Sequence, residues 1–347
     1  MAGTAGTVAG RTGPGIPMPA HRRARWTVVL STPWSREMGL RAPIVNAPMG
    51  GVAGGRLAAA VTAAGGLGMI GMGSAGSVAR LSDELELLGA LSGPFGIGLV
   101  DWVLAREPGL LETALAARPT VISIGFTDDF AWVPRLHRHG VVAVTQVYDA
   151  EQARRAAGAG VDVLVARGAE GGGHGAPLLG ILPLLDTVLD AVDVPVLAAG
   201  GLSSGRTLAA VLAAGASGAW LGTRLSVCTE ALTPDRARAA LVHAAATDTV
   251  TTRVFDIAQQ LPWPARFPSR VLRNDFTGRW EHSEDALTGN TAARDELAAA
   301  SAADDPAVAP VDAGQGVGMV TESAPVGQVI DELCSTAEHA LRGWSTR

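Results

Sequence analysis

From Pro43 to Thr223, short apolar runs alternate with segments whose apolar residues recur at helical spacing. The runs cover residues 44–47, 67–72, 95–100, 121–124, 141–147, 163–166, 195–198 and 219–221. They are continuous rather than alternating, which marks strands buried on both faces. Helices are predicted between them over 56–64, 78–91, 109–117, 130–139, 178–192 and 205–214. Another helix opens at Asp149, with Gln152 three residues on as in a capping box. Ser203 is assigned as the cap of the 205–214 helix. Eight βα units within about 190 residues fit a (β/α)8 TIM barrel better than an open doubly wound sheet.

After Thr223 the rhythm stops. Residues 230–325 hold helix-like stretches at 234–246 and 292–302 around a Pro- and Arg-rich middle that carries Trp263, 261–273. Residues 326–342 form an amphipathic closing helix with Val329, Ile330, Leu333, Ala337 and Leu341 on one side. The expected organisation is a disordered extension (1–32), a barrel (33–228) completed by helix 326–347, and a smaller, mostly helical or lid domain (229–325).

Composition narrows the function classes. Hydrophobic residues are 48% and charged residues 17% of 347, enough for a large core. The net charge of −6 provides no basic field, so nucleic acid is not an expected partner. All 27 basic residues are arginine, which excludes Schiff-base catalysis by lysine. The two cysteines, Cys228 and Cys334, form no CxxC pair; they read as buried small hydrophobes, and no metal is expected. No run is long and clean enough to span a bilayer, and the first residues lack a signal-peptide core. A cytoplasmic enzyme, free of membrane and open to self-association, is the expectation.

In a barrel of this kind, chemistry sits at the C-terminal ends of the strands. The first strand ends in Asn46-Ala-Pro-Met-Gly50, where Pro48 and Met49 can form an apolar wall against a flat ring. The fifth contributes Gln146. The sixth leads into Arg167-Gly-Ala-Glu-Gly-Gly-Gly-His-Gly175, in which His174 is the side chain suited to acid–base work near neutral pH. Glu170 reads as a structural brace for that loop. The seventh and eighth end in Ala199-Gly200-Gly201 and Leu221-Gly222-Thr223. Glycine turns at those two places, with a helix N-terminus and a Thr hydroxyl, suit a phosphate-bearing ligand. The remaining histidines, His21, His137, His139, His243, His282 and His339, read as solvated or structural.

The segments Ala47-Pro-Met49, Gly168–Gly175, Ala198-Ala-Gly-Gly201, Gly222-Thr-Arg224 and Gly314-Gln-Gly316 resemble the nitronate monooxygenases, in order along nearly the whole chain. The resemblance implies a barrel with a second domain, noncovalent FMN, and oxidation of alkyl nitronates by oxygen. It implies that His174 handles substrate beside the flavin. It places Ala47, Pro48, Met49, Gln146, Arg167, Gly172 and Gly173 around the cofactor, and Gly200, Gly201, Leu221, Gly222 and Thr223 around its phosphate. Two positions depart from the pattern: Gly98, where Asn is frequent, and Arg167, where Gln or Glu is frequent. An arginine there would favour a negative reduced ring or an anionic substrate. The competing expectation is an FMN-dependent, NAD(P)H-using reductase of enoyl-thioester or quinone type, since such enzymes share the Gly-Gly-His loop and the phosphate turns.

Overall fold

The computed structural model describes residues 30–91 and 93–345. The strands in chain order are β1 (Ile44–Asn46), β2 (Gly68–Gly71), β3 (Phe95–Val100), β4 (Val121–Gly125), β5 (Val142–Val147), β6 (Val163–Arg167), β7 (Gly173–His174), β8 (Val196–Ala199), β9 (Gly218–Leu221), β10 (Thr249–Thr252) and β11 (Ser269–Leu272). Eight of them are parallel, in the order β1-β9-β8-β6-β5-β4-β3-β2. A parallel bridge between Val45 and Leu67 brings the two ends of this sheet together. This is the expected (β/α)8 barrel.

Alternation within the buried strands explains why both faces had to be apolar. Val163 and Val165 of β6 pack in the barrel interior with Val45, Met69, Val144, Leu197 and Trp220. Leu164 and Ala166 instead join the layer between strands and helices. Burying a Leu- or Val-sized side chain contributes about 1.5–3 kcal/mol, so both layers hold the ring closed. Trp34, from the helix Pro33–Glu37, belongs to the interior cluster. Thr32 caps that helix, and its hydroxyl donates to the Ser217 carbonyl at 2.6 Å. Thr32, expected to lie in the extension, is therefore part of the fold. The expectation for residues 1–29 falls outside the described residues.

The helix Gly205–Ala213 is capped by Ser204, one residue later than expected. Ser204 Oγ accepts from the Thr207 amide while Thr207 accepts from the Ser204 amide, a reciprocal box that Ser203 has no partner to form. The closing helix, Val326–Ser345, packs on Gly205–Ala213 and Gly55–Ala63. A Cβ on Gly205 would meet the Leu333 carbonyl at 2.7 Å, so glycine sets how closely those helices approach. Cys228 and Cys334 are buried free thiols, and burial pushes both up to about 12.

Between barrel and closing helix lie the helices Asp235–His243, Val254–Gln259, Asp275–Trp280 and Thr291–Ala302, as well as β10 and β11. The strands were not expected. Each is four residues long, too short for its pattern to stand out from a loop. β11 pairs antiparallel with β10 on one side and with β7 on the other, placing Ser269 opposite His174 and Arg270 opposite Gly173. The histidine loop of the barrel is thus clamped as an edge strand by the segment that follows the barrel.

Candidate active site

A cavity of about 440 Å³ opens at the C-terminal ends of the barrel strands. Its wall includes Ala47, Pro48, Met49, Gln146, Arg167, Gly172, Gly173, His174, Gly200, Gly201, Gly222 and Thr223. Twelve of the thirteen residues singled out from the sequence therefore converge. Leu221 does not: its side chain is buried in the outer core, and its carbonyl accepts from the Ala47 amide at 2.8 Å.

The Pro48 turn is packed against the ends of two strands. A Cβ on Gly71 would strike the Pro48 backbone, and one on Gly98 would strike the Pro48 ring. In this structure glycine at position 98 leaves room for the proline ring.

Arg167 is buried, and its Nη2 donates to the carbonyls of Gly171, Gly172 and Gly173 at 2.9, 3.1 and 2.9 Å. Burial lowers its pKa. The arginine gathers the loop's carbonyl oxygens beneath it, a role unlike the direct electrostatic one expected from sequence. The glycines answer to the same packing. A Cβ on Gly175 would collide with the guanidinium, and one on Gly172 would lie 2.5 Å from the Gly314 amide nitrogen. Glu170 braces the loop as expected: its carboxylate accepts from the Ile181 amide at 3.0–3.1 Å, and its carbonyl accepts from the Gln315 amide at 2.9 Å.

Gly200 and Gly201 adopt φ of +109° and +68°, backbone that side chains with a Cβ resist. Thr223 begins a short helical turn, and its Oγ1 accepts from the Gly314 amide at 2.9 Å, leaving its own hydrogen to donate. Ser203, not singled out as a ligand contact from sequence, stands beside this cradle with a buried hydroxyl that has no partner in the protein. An orphaned buried hydroxyl costs about 1–3 kcal/mol unless something satisfies it. Glycine turns, a threonine hydroxyl and an orphaned serine form a donor set that fits the phosphate of FMN, and the Pro48–Met49 wall fits its ring.

His174 is fixed from two sides by Asp256 and Trp263, neither of which was among the residues singled out for the site. Its Nε2 lies 3.0 and 3.1 Å from the two carboxylate oxygens of Asp256, on the helix Val254–Gln259. A carboxylate only accepts, so Nε2 carries the hydrogen and Nδ1 is the ring's remaining polar atom. Trp263 stacks on the imidazole at 3.7 Å between ring centres with planes 9° apart. Trp102 and Phe126 meet Trp263 edge-on at 5.4 and 4.7 Å. Phe126 itself takes φ +70°, an uncommon conformation for a large side chain and one tolerated where packing enforces it.

Gln146 is oriented by Tyr148, whose hydroxyl donates to its Oε1 at 3.3 Å. Burial pushes the Tyr148 phenol up to about 12, so it remains a donor. The amide NH2 of Gln146 is left for the cavity. Asp312 also lines the cavity, with Ser269 donating to its Oδ1 at 2.9 Å. Asp312 is exposed on the cavity wall, and partial desolvation by the surrounding protein raises its carboxyl above the usual range, opposed by His174, the Ser269 bond and Arg167.

Known proteins resemble this chain along the same lines. The family model described as nitronate monooxygenase matches residues 32–108 and 104–336. The (3aS,4S,5R,7aS)-5-hydroxy-7a-methyl-1-oxo-octahydro-1H-indene-4-carboxyl-CoA dehydrogenase of Rhodococcus jostii is 34% identical over 73% of this chain and 69% of its own. Among solved structures, FabK from Thermotoga maritima superposes with a TM-score of 0.79 at 27% identity, covering 91% of this chain and 99% of that one. The nitroalkane oxidase of Streptomyces ansochromogenes gives 0.75 at 29% identity, covering 89% and 99%. With the barrel, the loop and the turns all falling within the matched residues, the chain is an oxidoreductase that belongs to the nitronate monooxygenase family.

Proposed function

We propose that this protein binds FMN at the barrel mouth and oxidises alkyl nitronates with molecular oxygen. The observation that carries the reading is His174, held by Asp256 and Trp263 on the wall of a cavity whose other side is a phosphate-type glycine cradle. Gly200, Gly201, Gly222, Thr223 and Ser203 would hold the phosphate. Ala47, Pro48, Met49, Gln146, Gly172 and Gly173 would border the ring, and Arg167 would hold the loop in shape. FMN supplies a two-electron acceptor that oxygen can re-oxidise.

A nitronate is already an anion, so the protein must position it more than activate it. With Nε2–H committed to Asp256 and one ring face covered by Trp263, His174 presents Nδ1. When neutral, Nδ1 can take the α-proton of a nitroalkane; when protonated, it can donate to a nitronate oxygen. The aromatic group of Trp263, Trp102 and Phe126 keeps water from that side of the ring. Purified holoprotein should consume oxygen when given propyl-1-nitronate. A flavin-loaded preparation that consumes none refutes the reading.

A second reading is supported by the Rhodococcus relative, which is named a carboxyl-CoA dehydrogenase. An acyl-thioester oxidoreductase would use the same flavin and histidine, and Arg80, exposed on the cavity wall, is suited to a coenzyme A phosphate. Bleaching of the flavin by NADH or NADPH, or by an acyl-CoA, without nitronate turnover would favour it. Cytoplasmic residence remains part of the proposal; among the described residues no helix is long and apolar enough to cross a membrane.

A further inference from the structure

The small sheet places one more carboxyl beside His174 that the chemistry above leaves unused. Asp312 extends the sheet through an antiparallel bridge to Val271, on the same edge of β11 as β7. Residues directly opposite in an antiparallel pair share a face, and so do residues two apart on one strand. His174 is opposite Ser269, Asp312 is opposite Val271, and Ser269 and Val271 are two apart. His174, Ser269 and Asp312 therefore stand in one row. Ser269 Oγ donates to Asp312 Oδ1 at 2.9 Å, in keeping with that row, and Asp312 Oδ2 also reaches the Gly173 backbone, 3.5 Å from where a Cβ there would sit. Asp312 is exposed and lines the cavity.

Two carboxyls thus bracket His174: Asp256 on Nε2, and Asp312 along the sheet row. The charged groups that face Asp312 are His174, Arg167 and Asp256. Arg167 turns Nη2 to three loop carbonyls, whose oxygen ends screen its charge. Arg80, the other arginine on the cavity wall, is solvent-exposed. A substrate tail beside His174 therefore meets a hydrogen-bond acceptor and negative charge.

We infer that Asp312 is a specificity residue that disfavours a second carboxylate or phosphate near the reacting carbon and favours neutral or hydrogen-bond-donating tails. The inference rests on the nitronate reading for its substrate series but not for its binding readout. Calorimetric titration of the FMN-loaded protein with succinate and succinamate tests it, because each probe carries one carboxylate for the anion position at His174 and their far ends match in size and differ in charge. The wild type binds succinamate about tenfold more tightly, the scale of one like-charge contact in a partly screened site. Asp312→Asn removes that preference by strengthening succinate, and Asp312→Glu keeps it. Asp312→Ser, also neutral, serves if the Asn variant does not fold. In turnover, Asp312→Asn shifts the kcat/KM ratio about tenfold toward propionate 3-nitronate over propyl-1-nitronate. If the succinate-to-succinamate ratio is unchanged in both neutral variants, the inference is overturned. If the ratio shifts while neither nitronate is turned over, the inference stands and the nitronate reading fails.

Discussion

Replacing Asp256 with Asn tests whether the His174 pair is functional. The two heavy-atom distances, 3.0 and 3.1 Å, and the burial of Asp256 describe a charge-assisted hydrogen bond shielded from water. Such bonds contribute about 1.5–3 kcal/mol, which is about ten- to hundredfold in rate if the interaction acts in the transition state. Asn preserves the volume, and the Trp263 stack keeps the imidazole plane, so the ring should stay where it is. What changes is the guarantee that Nε2 carries the hydrogen, because an amide can donate as well as accept. The expected result is a kcat about ten- to hundredfold lower, with KM and FMN content close to wild type. Nitrogen NMR of labelled histidine should show His174 moving from a single Nε2–H tautomer to a mixture. An Asp256→Asn protein with unchanged kcat and an unchanged tautomer would refute the assignment.

Four further outcomes are expected. Gly201→Ala places a Cβ at φ +68° and 3.1 Å from Glu170 Cβ; the strain of about 1–2 kcal/mol should weaken FMN retention in a dialysis assay, and full retention argues against the cradle. Gly98→Asn should displace the Pro48 turn and release flavin, measurable by absorbance after gel filtration; a stably loaded variant would show that the proline does not fill that space. Tyr148→Phe removes the donor that orients Gln146, and a loss of about 1 kcal/mol should raise KM about fivefold with kcat unchanged. The fourth concerns Asp312. Its raised folded pKa means that the folded chain holds this proton more tightly than the unfolded chain. Its contribution to stability is therefore complete at pH below the ordinary carboxylate range and is lost as pH rises through the raised value. Asp312→Asn should match wild-type Tm in acid and exceed it at about pH 8; a lower Tm at both would contradict the sign.

The barrel was legible because its strands are continuous apolar runs bounded by glycine turns, and a buried parallel strand has few other ways to be written. Pro48, His174 and the two glycine turns were legible for a related reason: each follows a strand, so chain order alone places it at the cavity. Asp256, Trp263 and Asp312 were not. They reach the site from the segment after the barrel through a three-stranded sheet whose third strand, β7, is two residues of the histidine loop itself. Pairing between Ser269 and His174, 95 positions apart (269 − 174), leaves no periodic trace. Arg167 shows the opposite difficulty. Its place in the chain was plain, but the direction of its side chain depends on three carbonyls that turn inward only once the loop is folded. The stretch 261–273 was the one available signal, since Trp263 and Phe267 close together in an otherwise aromatic-poor chain need something to pack against.

The most direct test of the central claim is anaerobic mixing of the FMN-loaded protein with propyl-1-nitronate, followed by admission of air. The flavin band should bleach on mixing and return with oxygen uptake, repeatedly, as long as nitronate remains. A flavin that is indifferent to the nitronate but bleaches with NADH or NADPH would contradict nitronate oxidation as the function of this site.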